Sequence, residues 1–156
     1  MFLKKKIKGN TERKHISLLI YIIGAGISIG QSVGVYHNIY KMTLGEMFIS
    51  FTLLPMLIAF TISFVATLID TKEELKSVIV FCTFVYIFNY WISNMIFTTE
   101  NMKIIYKNSD LAINSIKVNT EIDIGNIIST ACMIYAIGFV GFYMAKKIKQ
   151  VKRRNL

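Results

Sequence analysis

Two histidines and two cysteines are the side chains of this sequence best suited to metal or thiol chemistry, and their positions keep them apart. His15 and His37 stand at the two ends of one apolar stretch, which as a helix would separate them by about 33 Å. Cys82 and Cys132 belong to different apolar stretches, at depths that differ by about 13 Å, too far for a disulfide. The sequence therefore predicts no metal site and no disulfide.

Motifs of other catalytic sites are also missing from the sequence. It contains no C-x-x-C, no H-E-x-x-H and no phosphate-binding glycine loop after a strand. Gly24-x-Gly26 stands inside an apolar stretch, where it has no value as a nucleotide motif. We therefore expect no catalytic residues, no cofactor and no enzyme activity.

A few uncharged polar side chains interrupt the apolar stretches. Gln31 and Asn89 are amides that would need hydrogen-bond partners within a membrane, and bonds between membrane helices contribute about 0.6 to 2 kcal/mol each. We interpret them as contacts within a helical bundle, with a substrate pathway as the alternative. The intramembrane polar set is Gln31, Ser28, Asn89, Ser93 and Tyr86.

Four long apolar stretches must position these side chains, at about 15–36, 45–69, 77–97 and 125–145. Each is long enough as a helix to cross the roughly 30 Å of a bilayer core. The whole chain is 54% hydrophobic and only 17% charged, with a mean hydropathy of +0.52. We predict an all-α integral membrane protein with one domain over 1–156, its four transmembrane helices forming an up-down bundle.

The net charge of +9 is concentrated at the two ends of the chain, with six basic residues in the first 14 positions and six in the last 11. Positive flanks of membrane helices stay in the cytoplasm, so we predict that both termini are cytoplasmic. The segment 70–76 is then cytoplasmic, whereas 37–44 and 98–124 are external. We expect the ends to bind anionic headgroups rather than nucleic acid, and the first span to be uncleaved.

Helix starts are marked by a recurring Thr-x-x-acid pattern, which is typical of a capping box. Its members are Thr43 with Glu46, Thr71 with Glu74, and Thr120 with Asp123. We interpret Glu46 as a cap rather than a proton or ion carrier.

The second span contains the only proline, Pro55, ten residues from its start. Proline removes a backbone hydrogen bond and bends a helix. We interpret the bend as architecture rather than a gate.

The first span carries the glycine-rich stretch GAGISIGQSVG at 24–34. On a helical wheel, Gly26, Gly30 and Gly34 fall within about 80° of one another, and a polar strip that includes Gly24, Ser28 and Gln31 lies on the other half. Small residues at this spacing allow close approach of a second helix. Spacing alone does not decide whether that helix belongs to the same chain or to a second molecule, but the small number of spans favours packing within the chain. We predict that Gly30→Ile disturbs assembly more than Gly24→Ile.

The fourth span is also rich in small residues. Gly138 and Gly141 are its candidate packing positions. Gly141-x-x-x-Ala145 is a weak motif on its own, because such pairs often arise by chance in membrane helices. Helices 1 and 4 are therefore expected to pack most tightly.

The second half of the segment 98–124 alternates between apolar and polar residues. This period of two is typical of an extended strand, with a solvated loop as the alternative. The candidate contacts for an external partner are Ile116, Lys117, Val118 and Glu121.

Taken with the missing catalytic groups, the small-residue faces favour a protein that acts by protein–protein interaction. Accessory subunits of membrane complexes and immunity proteins against membrane-acting toxins are of this kind, and the partner would be another membrane protein or a second copy. The alternative is an oligomeric pore, a holin-like protein or a small transporter, whose passage would be uncharged. The Ile-, Lys- and Asn-rich composition is like that of small bacterial membrane proteins, so we expect a bacterial cell membrane.

Overall fold

A computed structural model describes residues 2–70, 75–110 and 124–154, and every regular element in them is helical. Four helical segments are long and apolar enough to span a membrane: His15–His37, Leu44–Ile69, Leu75–Ile96 and Ile127–Lys152. For these residues, the prediction of a helical protein with four candidate spans is confirmed.

The first and last helices are longer than the spans they contain. Helix α1 runs over Phe2–His37 and the last helix, α6, over Ile124–Arg154, well past the predicted end at 145. Lys, Arg and Gln are good helix formers, so the edge of the apolar stretch does not end the helix. Most of the terminal basic residues therefore lie on extensions of membrane helices.

The second span consists of three pieces. It begins with α2 (Leu44–Phe48), continues through a π-helical segment (Ile49–Leu53) and ends with α3 (Leu54–Ile69). The capping box at its start is present, because Thr43 Oγ1 accepts from the Glu46 backbone N–H and a Glu46 carboxylate oxygen accepts from the Thr43 N–H at 2.9 Å. Glu46 is thus engaged in the cap.

The third span is α4 (Leu75–Ile96), and it is followed by a short helix that the sequence did not suggest, α5 (Thr99–Asn108). Thr98 caps α5 by accepting from the backbone N–H of Asn101. The signal was Thr-x-x-Asn, which lacks the acid used to recognise the other caps. Thr71, Glu74, Thr120 and Asp123, which form the other two predicted capping boxes, lie outside the described residues.

Helix α5 is fastened to the connection between the first two spans, which includes a 3₁₀ turn at Ile39–Lys41. Asn108 Nδ2 donates to the carbonyl oxygens of Tyr40 and Met42, both at 3.0 Å. The backbone N–H of Leu44 donates to Ser109 Oγ at 2.9 Å. These bonds define one end of the bundle, the α5 end; the opposite end, where Lys149 lies, is called the basic end.

Buried apolar side chains form two clusters. The cluster toward the basic end draws on α1, α3, α4 and α6, and consists of Tyr21, Ile58, Ala59, Ile62, Ala66, Val78, Phe81, Cys82, Val85, Ile134 and Phe142. The cluster at the α5 end consists of Val35, Ile39, Met42, Phe51, Ile92, Ile96, Met102 and Ile105. Among the described residues, α6 contributes only to the first.

Candidate functional site

Helix α1 has two faces rich in small residues, and they have opposite environments. The face packed against α3 and α4 is formed by the buried residues Ser17, Tyr21, Gly24, Ser28, Ser32 and Val35. The other face carries Gly26, Gly30 and Gly34, and a Cβ atom added at any of them would meet no atom within 4 Å. We call Gly26, Gly30 and Gly34 the outward ridge. Their open surroundings contradict, for the described part of the chain, the expectation that this ridge packs within the chain.

Gly24 is the α1 glycine that the fold itself requires. A Cβ atom there would lie 2.6 Å from Cγ1 of Ile62 and 2.9 Å from Cζ of Phe81. Such distances are well below van der Waals contact, so α1 approaches α3 and α4 closely only because this side chain is absent. The sequence placed Gly24 on the polar strip but did not identify it as a packing glycine. Within the chain's own fold, Gly24→Ile should therefore disturb packing more than Gly30→Ile, which is the reverse of the expected order.

Gly138 and Gly141 allow α6 to approach the other helices closely. A Cβ atom at Gly138 would lie 2.5 Å from Cys82 Sγ on α4, and one at Gly141 would lie 2.6 Å from the carbonyl oxygen of Phe60 on α3. Ser63, which is fully buried on α3, also borders Gly138. The α3–α6 contact thus brings two backbones together, as expected where small residues replace bulky ones.

The two intramembrane amides bind neighbouring carbonyl groups of the second span. Gln31 Nε2 on α1 donates to the carbonyl oxygen of Ser50, and Asn89 Nδ2 on α4 donates to that of Phe51 at 3.0 Å. Both carbonyls lie in the π-helical segment that precedes Pro55. The sequence predicted that each amide needs a partner, but not that both would donate to carbonyls of the same turn.

Backbone geometry explains why these two carbonyls need outside donors. In an α-helix the Phe51 carbonyl would accept from residue 55, which is proline and has no N–H. In the π register the Ser50 carbonyl would also accept from residue 55, while the Leu54 N–H is already bonded to Ile49. Pro55 thus removes one possible backbone donor from each carbonyl.

The remaining intramembrane polar residues also have contacts within the chain. Ser32 Oγ donates to the Ser28 carbonyl at 2.9 Å, and Ser93 Oγ donates to the Asn89 carbonyl. Tyr86 is half-buried and stacks on Tyr90, with ring centroids 6.3 Å apart. Gln31 and Asn89 thus meet at one turn of the second span, with Ser93 bonded to the Asn89 carbonyl, whereas Tyr86 contacts Tyr90.

Lys149 makes a contact with α3 that could not be predicted from its place in a basic cluster. Its Nζ donates to the carbonyl oxygen of Thr67, one of the last carbonyls of α3 and therefore without a partner in its own helix. A cation at this position also interacts favourably with the helix dipole. In the sequence alone, Lys149 is one of six basic residues at the C-terminal end.

The described residues contain two free cysteines and no cluster of side chains that could hold a metal ion. Across residues 2–70, 75–110 and 124–154, no three His, Cys, Asp or Glu side chains cluster closely enough to hold a metal ion. Cys82 is a buried free thiol and Cys132 an exposed one. The candidate external contacts Ile116, Lys117, Val118 and Glu121 lie outside the described residues.

The polar side chains described above bond within the chain, mainly to backbone carbonyls, whereas the outward ridge is a feature that the packing of the described residues does not use. Its neighbours on the exposed side are large and apolar, among them Ile22 (58% exposed), Ile27 (51%) and Val33 (46%). This exposed helix face carries glycines and large apolar side chains rather than a set of reacting groups. Comparisons with protein-family models, with curated proteins and with solved structures gave no match to this chain.

Proposed function

We propose that this chain is a non-enzymatic interaction protein of a bacterial cell membrane, and that the outward ridge of α1 is where a helix of its partner docks. An accessory subunit of a membrane complex and an immunity protein against a membrane-acting toxin both fit this role. The observation that carries the proposal is the open space beyond Gly26, Gly30 and Gly34.

Glycine within a helix is costly unless something uses the space it leaves. Each interior glycine destabilises a helix by about 1 kcal/mol relative to alanine, and within the described residues no neighbouring helix packs against these three. In lipid, helices associate through close backbone approach and dispersion contacts. A tandem glycine face turned outward supplies that opportunity to a second helix.

The proposed orientation places both termini in the cytoplasm. Six basic residues precede the first span and six follow the last, and α1 and α6 continue as helices into these basic ends. Cationic flanks favour the cytoplasmic side and attract anionic headgroups of the inner leaflet. The α5 end is then external.

The use of the two amides within the chain counts against a pore or transporter. Gln31 and Asn89 were the residues best suited to line an uncharged passage, and both donate to carbonyls of the second span. Turning either toward a passage would leave a carbonyl of the π-helical segment without its donor.

A photo-crosslinking amino acid at Val33, beside the ridge, tests the proposal in the native membrane. We expect a protein adduct of defined mass, with the partner identified by mass spectrometry. The matched control is the same amino acid at Val80, which is 69% exposed on α4 and should give lipid adducts only. Lipid adducts alone at both positions would reject the proposal.

A further inference from the structure

Helix α1 carries two tandem ridges of small residues on opposite faces. Gly24, Ser28 and Ser32 recur every four residues, and so do Gly26, Gly30 and Gly34. The two sets are offset by two positions, which is about 200° around an α-helix. The first set packs inside the bundle, with Ser28 3% and Ser32 4% exposed, while the second faces outward.

Packing alone does little to determine which of the two ridges of α1 faces the bundle. Between membrane helices there is little hydrophobic gain, and either ridge allows a close approach. The serines do not decide it, because Ser32 donates to the Ser28 carbonyl within the same helix and keeps that bond in any orientation. At the basic end, the ring of Tyr21 lies 5.3 Å from that of Phe81, a contact that favours the observed orientation.

Gln31 distinguishes the two faces much more strongly. Its amide reaches the Ser50 carbonyl, which has no backbone donor because Leu54 bonds to Ile49 and residue 55 is proline. Turning α1 by half a turn would expose the amide to lipid and leave that carbonyl bare. Hydrocarbon offers neither group a replacement.

We propose that Gln31 is an orientation lock, which determines which small-residue face of α1 packs in the bundle and so keeps the glycine ridge outside. A single buried polar residue sets register in this way in some coiled coils. The lock concerns the fold alone. It explains how the docking face of the proposed function stays available, but it does not depend on a partner being found.

A carbene-generating probe dissolved in the bilayer tests the lock without introducing a reporter residue. In the native chain we expect heavy labelling of Ile22, which is 58% exposed, and little labelling of Val35, which is 8% exposed. In Gln31→Met, which keeps the length of the side chain but not its amide, the Ile22-to-Val35 labelling ratio should fall at least threefold. An unchanged ratio in this variant would overturn the lock.

Asn89→Leu is the matched control, because it removes the neighbouring amide–carbonyl bond from α4 and leaves α1 intact. Its labelling ratio should stay that of the native chain; a fall equal to that of Gln31→Met would mean general loosening and would overturn the lock.

A second variant keeps the test decisive if Gln31→Met folds poorly. Gln31→Met combined with Val33→Gln moves the amide by about 200°, so the ratio should invert, with Val35 labelled more than Ile22. Retention of the native ratio in this variant would contradict the lock. Because labelling is measured on the isolated chain, failure here is separate from failure to crosslink a partner.

Discussion

Asn89 on α4 donates from Nδ2 to the carbonyl oxygen of Phe51, 3.0 Å away, and Phe51 is the residue whose α-helical donor is replaced by Pro55. The contact spans 38 positions of sequence, and Asn89 itself is only 6% exposed. A proline in one span is thus compensated by an amide in another.

Asn89→Leu should lower the free energy of unfolding in detergent by about 1 to 3 kcal/mol, because it leaves a buried carbonyl unsatisfied. Asn94→Leu, at an exposed position on the same helix, should change it little. Pro55→Ala restores an N–H at residue 55, so Asn89→Leu should cost less in that background. Equal costs in the two backgrounds would show that the amide does not compensate for the proline.

Gly24→Val and Gly26→Val should have different effects on stability, because they lie on opposite faces of α1. The first places carbon atoms where Ile62 and Phe81 already lie, and overpacking of this kind costs about 1 to 3 kcal/mol. The second points into open space and should leave unfolding of the isolated chain nearly unchanged. A larger loss of stability for Gly26→Val would contradict the assignment of the faces.

Gly141→Leu should disrupt the contact between α6 and α3, because even the added Cβ atom would lie only 2.6 Å from the Phe60 carbonyl oxygen. We expect lowered thermal stability and protease cleavage near α6. Ala136→Leu, at an exposed position of the same helix, provides the control. Similar behaviour of the two variants would mean that α6 does not pack through Gly141.

Lys149→Met should destabilise the chain by about 0.5 to 2 kcal/mol, since it removes a cation and a donor from the C-terminal end of α3. Lys152→Met removes the same charge from an exposed position, so it controls for the effect of net charge. Comparable urea or SDS midpoints for the two variants would argue against a specific role for Lys149.

The elements whose signals are local could be predicted from the sequence. The four spans followed from the length of the apolar stretches, and the cap at Thr43 from its spacing to Glu46, because both depend on neighbouring residues. The need of Gln31 and Asn89 for partners also followed, since an amide in hydrocarbon must be satisfied.

Features that depend on the relative position of helices could not be predicted in this way. Two small-residue ridges on α1 are equivalent by spacing, so only the placement of Ile62 and Phe81 reveals that Gly24 is the packed one. In the sequence, Lys149 looks like the other lysines of its cluster. Only the structure shows that it lies beside the C-terminal end of α3. Pro55 predicted a bend. The π-helical segment and its two side-chain donors could not be predicted, because they depend on how α1 and α4 lie against the second span.

The most direct test of the outward ridge compares the native chain with Gly30→Ile, both carrying the photo-crosslinker at Val33, in the native membrane. The partner adduct should fall at least tenfold in Gly30→Ile, while the unfolding midpoint of the purified variant stays that of the native chain, because no neighbouring helix in the described part of the chain lies within 4 Å of the added Cβ. An undiminished adduct, or a loss of adduct that only accompanies unfolding, would contradict the account.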